Sequence, residues 1–117
     1  MAVVDVRFTL DGKSYLARAT AQTGDFSGLY GQESDTETVD AATNAVLVSV
    51  DTDTAVYQKI TWTDGIINYC LYGTDGAGRN QVLAAYEALK NDGIWPERLA
   101  FCPVFLYNVH GKPENMN

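Results

Sequence analysis

The sequence predicts an α+β fold: a mostly antiparallel β-sheet, built from two Asp-Gly hairpins plus two further strands, with one amphipathic helix packed on it. The predicted order is ββ-β-ββ-α-β. Three observations carry this reading. Asp11-Gly12 and Asp64-Gly65 each interrupt runs of alternating apolar and polar residues, the pattern of a two-residue hairpin. Residues 79–91 repeat apolar side chains at helical spacing. At 117 residues and 46% hydrophobic side chains, the chain is sized for one domain over 1–117, with a core that needs no crosslinks.

The first hairpin is "VVDVRFTLDGKSYLARATA", residues 3–21. A type I′ turn at Asp11-Gly12 pairs Phe8 with Tyr15, Val6 with Ala17 and Val4 with Ala19 on one face. On the other face it sets Asp5 opposite Arg18, a cross-strand ion pair. Every position agrees with that register. The second hairpin, "TAVYQKITWTDGIINYCLY" (54–72), repeats the device. A two-residue turn there sets Trp62 opposite Ile67 and Ile60 opposite Tyr69, with Val56 and Leu71 extending the same face. Lys59, Thr61, Thr63 and Asn68 fall on the reverse face. Helical spacing also fits residues 54–63, but their β-branched and aromatic content favours a strand. Between the hairpins "AVLVSV" (45–50) is apolar nearly throughout and reads as a central strand.

In the helix, Val82, Ala85, Tyr86 and Leu89 share one face, with Leu83 at its margin. Gly93 suits the left-handed position after a helix, and Pro96 prevents continuation. "LAFCPVFLYNV" (99–109) then reads as a strand buried on both faces, in which Pro103 demands a bulge or an edge position. Residues 22–44 are too long for an ordinary connection and read as a loop, a length that is usually functional or disordered.

Charge is distributed unevenly. The formal net charge is −7, and between Arg18 and Lys59 there is no Lys or Arg. That stretch holds Asp25, Glu33, Asp35, Glu37, Asp40, Asp51 and Asp53, whereas the rest of the chain is neutral. Such a segment repels nucleic-acid phosphates, so direct DNA or RNA binding is disfavoured, and it favours a basic protein surface as partner. No apolar run approaches the ~18 residues of a membrane span. The start, "MAVVDVRF", places an acid and a base where a secretion signal keeps an apolar core, so an intracellular location, host cytoplasm or virion, is expected.

Few residues suggest chemistry. Cys70 and Cys102 lie in apolar strand-like runs, lack Cys-x-x-Cys spacing and read as buried thiols. His110 is the single histidine and lies in the C-terminal tail. No cofactor, metal or catalytic set is expected. "DTDT" (51–54) lacks the sixth-position Gly and terminal Glu of a calcium loop.

"GTDGAGR" (73–79) precedes the helix, and a Gly-rich turn there can present backbone N–H groups to an anion, with Arg79 as a bidentate ligand. Neither the Walker nor the dinucleotide glycine spacing is present, and a turn capped by Thr74 or Asp75 accounts for the same residues. Two functions remain in view. The first is a non-enzymatic protein-binding or assembly module, an accessory protein of phage type that acts as a virion component or as an inhibitor of a basic nucleic-acid-binding protein. Its contacts would be Phe26, Leu29 and Tyr30 as apolar anchors and Glu33, Asp35 and Glu37 as steering charges, with an edge strand available for homo-oligomer formation. The alternative is a binder or enzyme for an anionic, nucleotide-like ligand held at Gly76, Gly78 and Arg79.

Overall fold

Asp11 and Gly12 both adopt left-handed backbone, with φ of 51° and 80°, as a type I′ turn demands. β1 (Val3–Leu10) and β2 (Lys13–Thr20) therefore pair in the predicted register, with Asp5 opposite Arg18, Val6 opposite Ala17 and Phe8 opposite Tyr15. The computed structural model of the protein describes residues 3–21 and 27–91, and the backbone of 104–108.

The second Asp-Gly turn behaves differently. Gly65 is left-handed at φ 97°, but Asp64 is not, so no type I′ turn forms. Instead the Asp64 carboxylate accepts the N–H groups of Ile66 (2.9 Å) and Ile67 (2.7 Å), and Thr63 Oγ1 accepts that of Gly65 (3.0 Å). Asp and Thr side chains here take over the hydrogen bonding of the backbone turn. The loop widens to residues 64–67, and β5 (Val56–Thr63) meets β6 (Asn68–Gly73) with Trp62 opposite Tyr69 and Ile60 opposite Leu71. The predicted pairs Trp62–Ile67 and Ile60–Tyr69 are thus displaced by two residues. An even displacement preserves the faces, so Ile60 and Leu71 still share the core side.

Residues 31–40, expected within a loop, form strand β3 (Gly31–Asp40), which pairs antiparallel with β4 (Ala45–Thr52). Gly31 is required at its start, because any Cβ there would overlap the Asp51 carbonyl. The sheet has seven strands in the order β3-β4-β5-β6-β2-β1-β7. Six are mutually antiparallel, while β7 (Val104–Asn108) runs parallel to β1 at the far edge. An edge is one of the two positions that Pro103 allowed; Pro103 itself, Cys102, His110, Gly93, Pro96 and the side chains of β7 lie outside the described residues.

Helix α1 (Arg79–Asn91) buries Val82, Ala85, Tyr86 and Leu89, the predicted face, against Val6, Ala17, Leu47, Ile60 and Leu71 of the sheet. Phe8 and Tyr15 stack in the same core with ring centroids 5.4 Å apart. A smaller cluster on the opposite sheet face joins Leu16, Val50, Tyr72 and Leu29, with Tyr57 at its margin. Leu29 reaches it from residues 27–30, immediately before β3. The Ser27 carbonyl accepts Arg18 Nη1–H (2.9 Å) and the Tyr72 hydroxyl (3.2 Å), and Ser27 Oγ accepts the Leu29 N–H (3.1 Å). Lys59, expected on a polar reverse face, is buried there.

Candidate functional site

β3 is the terminal strand of the described sheet, and its first eight residues are exposed. Its acids are aimed by two irregularities in the ladder with β4. One lies between Ser34 and Glu37, where Asp35 takes a left-handed φ of 54°; the other lies between Thr38 and Asp40. Each inserts one residue and so reverses the face on which the later side chains lie. Glu33, opposite Val50, therefore faces the smaller core, where its carboxylate meets the buried Lys59 ammonium at 3.0 Å. Glu37, opposite Leu47, faces the helix side and pairs with Arg79 at the start of α1.

Asp40, on the same side, accepts Lys90 Nζ (2.8 Å) and the Tyr86 hydroxyl (2.9 Å), while its other oxygen takes the Ala42 N–H (3.1 Å). The Lys90 hydrogen bond, then that of Tyr86, holds the Asp40 carboxyl below its ordinary range, against a smaller desolvation effect. The strand thus clamps three of the chain's bases.

The sequence-predicted contact residues are therefore distributed unevenly. Tyr30 is 86% exposed immediately before β3, Leu29 is buried, and Phe26 lies outside the described residues. Asp35 forms no ion pair among the described residues, whereas Glu33 and Glu37 are paired internally.

The Gly-rich turn is organised from within. Asp75 Oδ1 accepts the Ser14 N–H (3.1 Å) and the Thr74 N–H bonds to the Ser14 carbonyl (2.9 Å), tying the turn to β2. Neither Thr74 nor Asp75 caps the helix. The N-cap is Gly78, whose carbonyl accepts the Val82 N–H (3.0 Å) and whose N–H is taken by Gln81 Oε1 (2.8 Å). This is the return half of a capping box, with Gln81 three residues into the helix. Gly76 is left-handed at φ 89° with open space around it, and Arg79 is turned toward Glu37 and Asn80.

A third feature is absent from the sequence pattern. The shifted register of β5 and β6 stacks Trp62 on Tyr69, with centroids 5.3 Å apart and planes 9° from parallel. Tyr86 of α1 meets Trp62 edge-on at 5.0 Å and 76°. Between the β5–β6 hairpin and the last turns of α1 these three rings, with Leu89, Thr43 and Lys90, line a pocket of about 280 Å³. Its polar atoms are interconnected. Tyr69 donates to Asp64 Oδ2 (3.1 Å), and Tyr86, having donated to Asp40, accepts from Thr43 Oγ1 (2.9 Å).

Backbone N–H groups of Ile67 and Ile66 hold the Asp64 carboxyl below its usual range. Burial, reinforced by Asp64, pushes the Tyr69 hydroxyl up to about 12. Trp62 and Tyr69 were visible as strand aromatics, but their stacking depends on a register that Asp64 sets locally.

Among the described residues no His, Cys, Asp and Glu side chains converge in a group able to hold a metal ion, and Cys70 is buried. No described helix is long and apolar enough to cross a membrane. Comparison with protein-family models, curated proteins and solved structures finds no match to this chain.

Proposed function

We propose that the protein is a non-enzymatic binding module that engages a basic protein surface along β3 and the Tyr30 that precedes it. One observation carries this reading. A ten-residue terminal strand exposes its first eight residues and bears Glu33, Asp35, Glu37 and Asp40 without a single base. Long exposed edges are templates for unwanted strand pairing, and acids and bulges are the usual protection. Those devices admit a partner that brings cations instead of a bare strand. Because Glu33 and Glu37 lie on opposite faces, the partner approaches the edge itself, with Asp35, which forms no ion pair among the described residues, and Tyr30 supplying the charged and apolar contacts.

An accessory role of phage type, as a virion component or as an inhibitor covering the basic surface of a nucleic-acid-binding protein, is the class of function such an edge serves. Homo-oligomer formation through β3 is opposed by like charges meeting across the edge, so a second basic protein is the favoured partner.

The test uses point variants that leave the strand in place. In a pull-down, the parent protein should capture a basic partner at low salt and release it as ionic strength rises. Asp35→Asn should slow association, and Tyr30→Ala should speed dissociation. Partner capture that is indifferent both to salt and to these two substitutions would remove β3 from the interaction.

A further inference from the structure

We propose that the pocket between the β5–β6 hairpin and the C-terminal half of α1 binds an uncharged heteroaromatic ring that carries a carbonyl or ring-nitrogen acceptor. This site is separate from the β3 edge. Its walls decide the shape of the ligand. Trp62 and Tyr69 lie nearly parallel and Tyr86 stands across them, so the pocket offers aromatic faces and edges to a planar ring. Its volume of about 280 Å³ lies at the small end of ligand sites, which suits one substituted ring.

Hydrogen-bond accounting decides the polarity. The hydroxyls of Tyr69, Tyr86 and Thr43 all donate within the protein, to Asp64, Asp40 and Tyr86 respectively. Thr63 Oγ1 both accepts from Gly65 and donates to the Ile67 carbonyl. Two donors in the lining have capacity left. The Trp62 indole N–H has no acceptor among the described residues, and Trp62 is partly buried in the pocket lining, where an indole N–H usually finds one. The Lys90 ammonium gives one hydrogen to Asp40 and retains the others. The ligand must therefore bring an acceptor.

Charge decides the rest. An anion would face the Asp64 carboxylate, and the positive charge of Lys90 is already balanced by Asp40, although its remaining N–H donors are not used there. A cation would face Lys90, and Asp64 is occupied by two backbone N–H groups and Tyr69. A neutral ring avoids both conflicts.

The experiment is an NMR titration of the full chain with nicotinamide, nicotinate and 3-(aminomethyl)pyridine, which present the same pyridine ring with no charge, a negative charge and a positive charge. The Trp62 indole N–H signal is assigned by its loss in Trp62→Phe. Nicotinamide should move that signal downfield and saturate it at millimolar concentration or below, with nicotinate and 3-(aminomethyl)pyridine at least about tenfold weaker. Trp62→Phe, which keeps an aromatic wall without the donor, should weaken nicotinamide binding about fivefold or more. Should that variant not fold, the three-ligand series on the parent protein decides alone. Equal response to all three ligands, no shift with nicotinamide, or undiminished binding by a folded Trp62→Phe would each overturn the proposal.

Discussion

Glu33 and Glu37 stand four positions apart on one strand yet face opposite sides of the sheet. In a regular strand, residues separated by an even number share a face. Here a single inserted residue near Asp35 reverses the alternation, so Glu33 reaches Lys59 on one side while Glu37 reaches Arg79 on the other. The acids of β3 are therefore partly structural. They fasten an otherwise polar edge to the sheet and to the helix.

Asp35 is the hinge of this arrangement and holds a left-handed φ of 54°. Aspartate tolerates that region, glycine favours it, and a β-branched residue is strained there. Asp35→Val should cost about 1–3 kcal/mol. Asp35→Gly should stay within about 0.5 kcal/mol of the parent. Denaturant unfolding distinguishes them, and equal losses for both would mean that the carboxylate, not the backbone, matters at this position.

Lys59 and Glu33 form an asymmetric pair, the ammonium almost wholly buried (4% exposed) and the carboxylate half-exposed (53%). Removing the acid takes one partner from a buried charge, whereas removing the charge does not. Glu33→Ala should cost about 1–2 kcal/mol. In a Lys59→Met background the same change should cost less than about 0.5 kcal/mol, because the methionine stem still fills the space. A double-mutant cycle with no coupling would show that Lys59 is held by its other contacts.

How far these features could be read from sequence depends on what each residue does with its polar groups. Asp11-Gly12 and Asp64-Gly65 are the same dipeptide. Only the first adopts two positive φ angles; in the second, the Asp64 carboxylate captures two backbone N–H groups and lengthens the loop. The faces assigned to Ile60, Trp62, Tyr69 and Leu71 were legible and the register was not.

β3 escaped notice because it buries so little: with its first eight residues exposed, it has no apolar alternation to read. The helix face, by contrast, was legible in full, since Val82, Ala85, Tyr86 and Leu89 repeat at the period that burial imposes. The aromatic pocket depends on the one register that was misread.

The Tyr69–Asp64 contact makes an alkaline prediction. The phenol is raised from 10.0 to about 12, so the folded state holds that proton more tightly than the unfolded chain does. Stability from this source is complete below about pH 10 and is lost as pH rises through about 12. Tyr15, Tyr72 and Tyr86 are raised as well, so phenolate absorbance should show a group of late-titrating tyrosines, from which Tyr69→Phe removes the one at about 12. Asp64→Asn should lower its midpoint but leave it above the ordinary value, because burial is the larger cause. An unmoved midpoint would remove Asp64 from the account. On the acid side Asp64 and Asp40 are lowered, so their contribution is present above the ordinary carboxylate range and fades as pH falls through their folded values.

Tyr86 joins the core to the pocket, and two substitutions separate its roles. Its ring is buried beneath α1 and meets Trp62 edge-on, while its hydroxyl links Asp40 to Thr43. Tyr86→Ala should cost about 3–5 kcal/mol, because the cavity cannot close against a sheet on one side and a helix on the other. Tyr86→Phe keeps the ring and removes only the bridge. Asp40 retains Lys90 and the Ala42 N–H, so the loss should be about 1–2 kcal/mol. The Trp62 indole signal provides an independent reading: it should move strongly in Tyr86→Ala, which removes the ring beside it, and little in Tyr86→Phe. If the two variants are equally destabilised, the hydroxyl bridge and not the packed ring fastens the helix to the β3–β4 turn. The helix face would then be held mainly by Val82, Ala85 and Leu89.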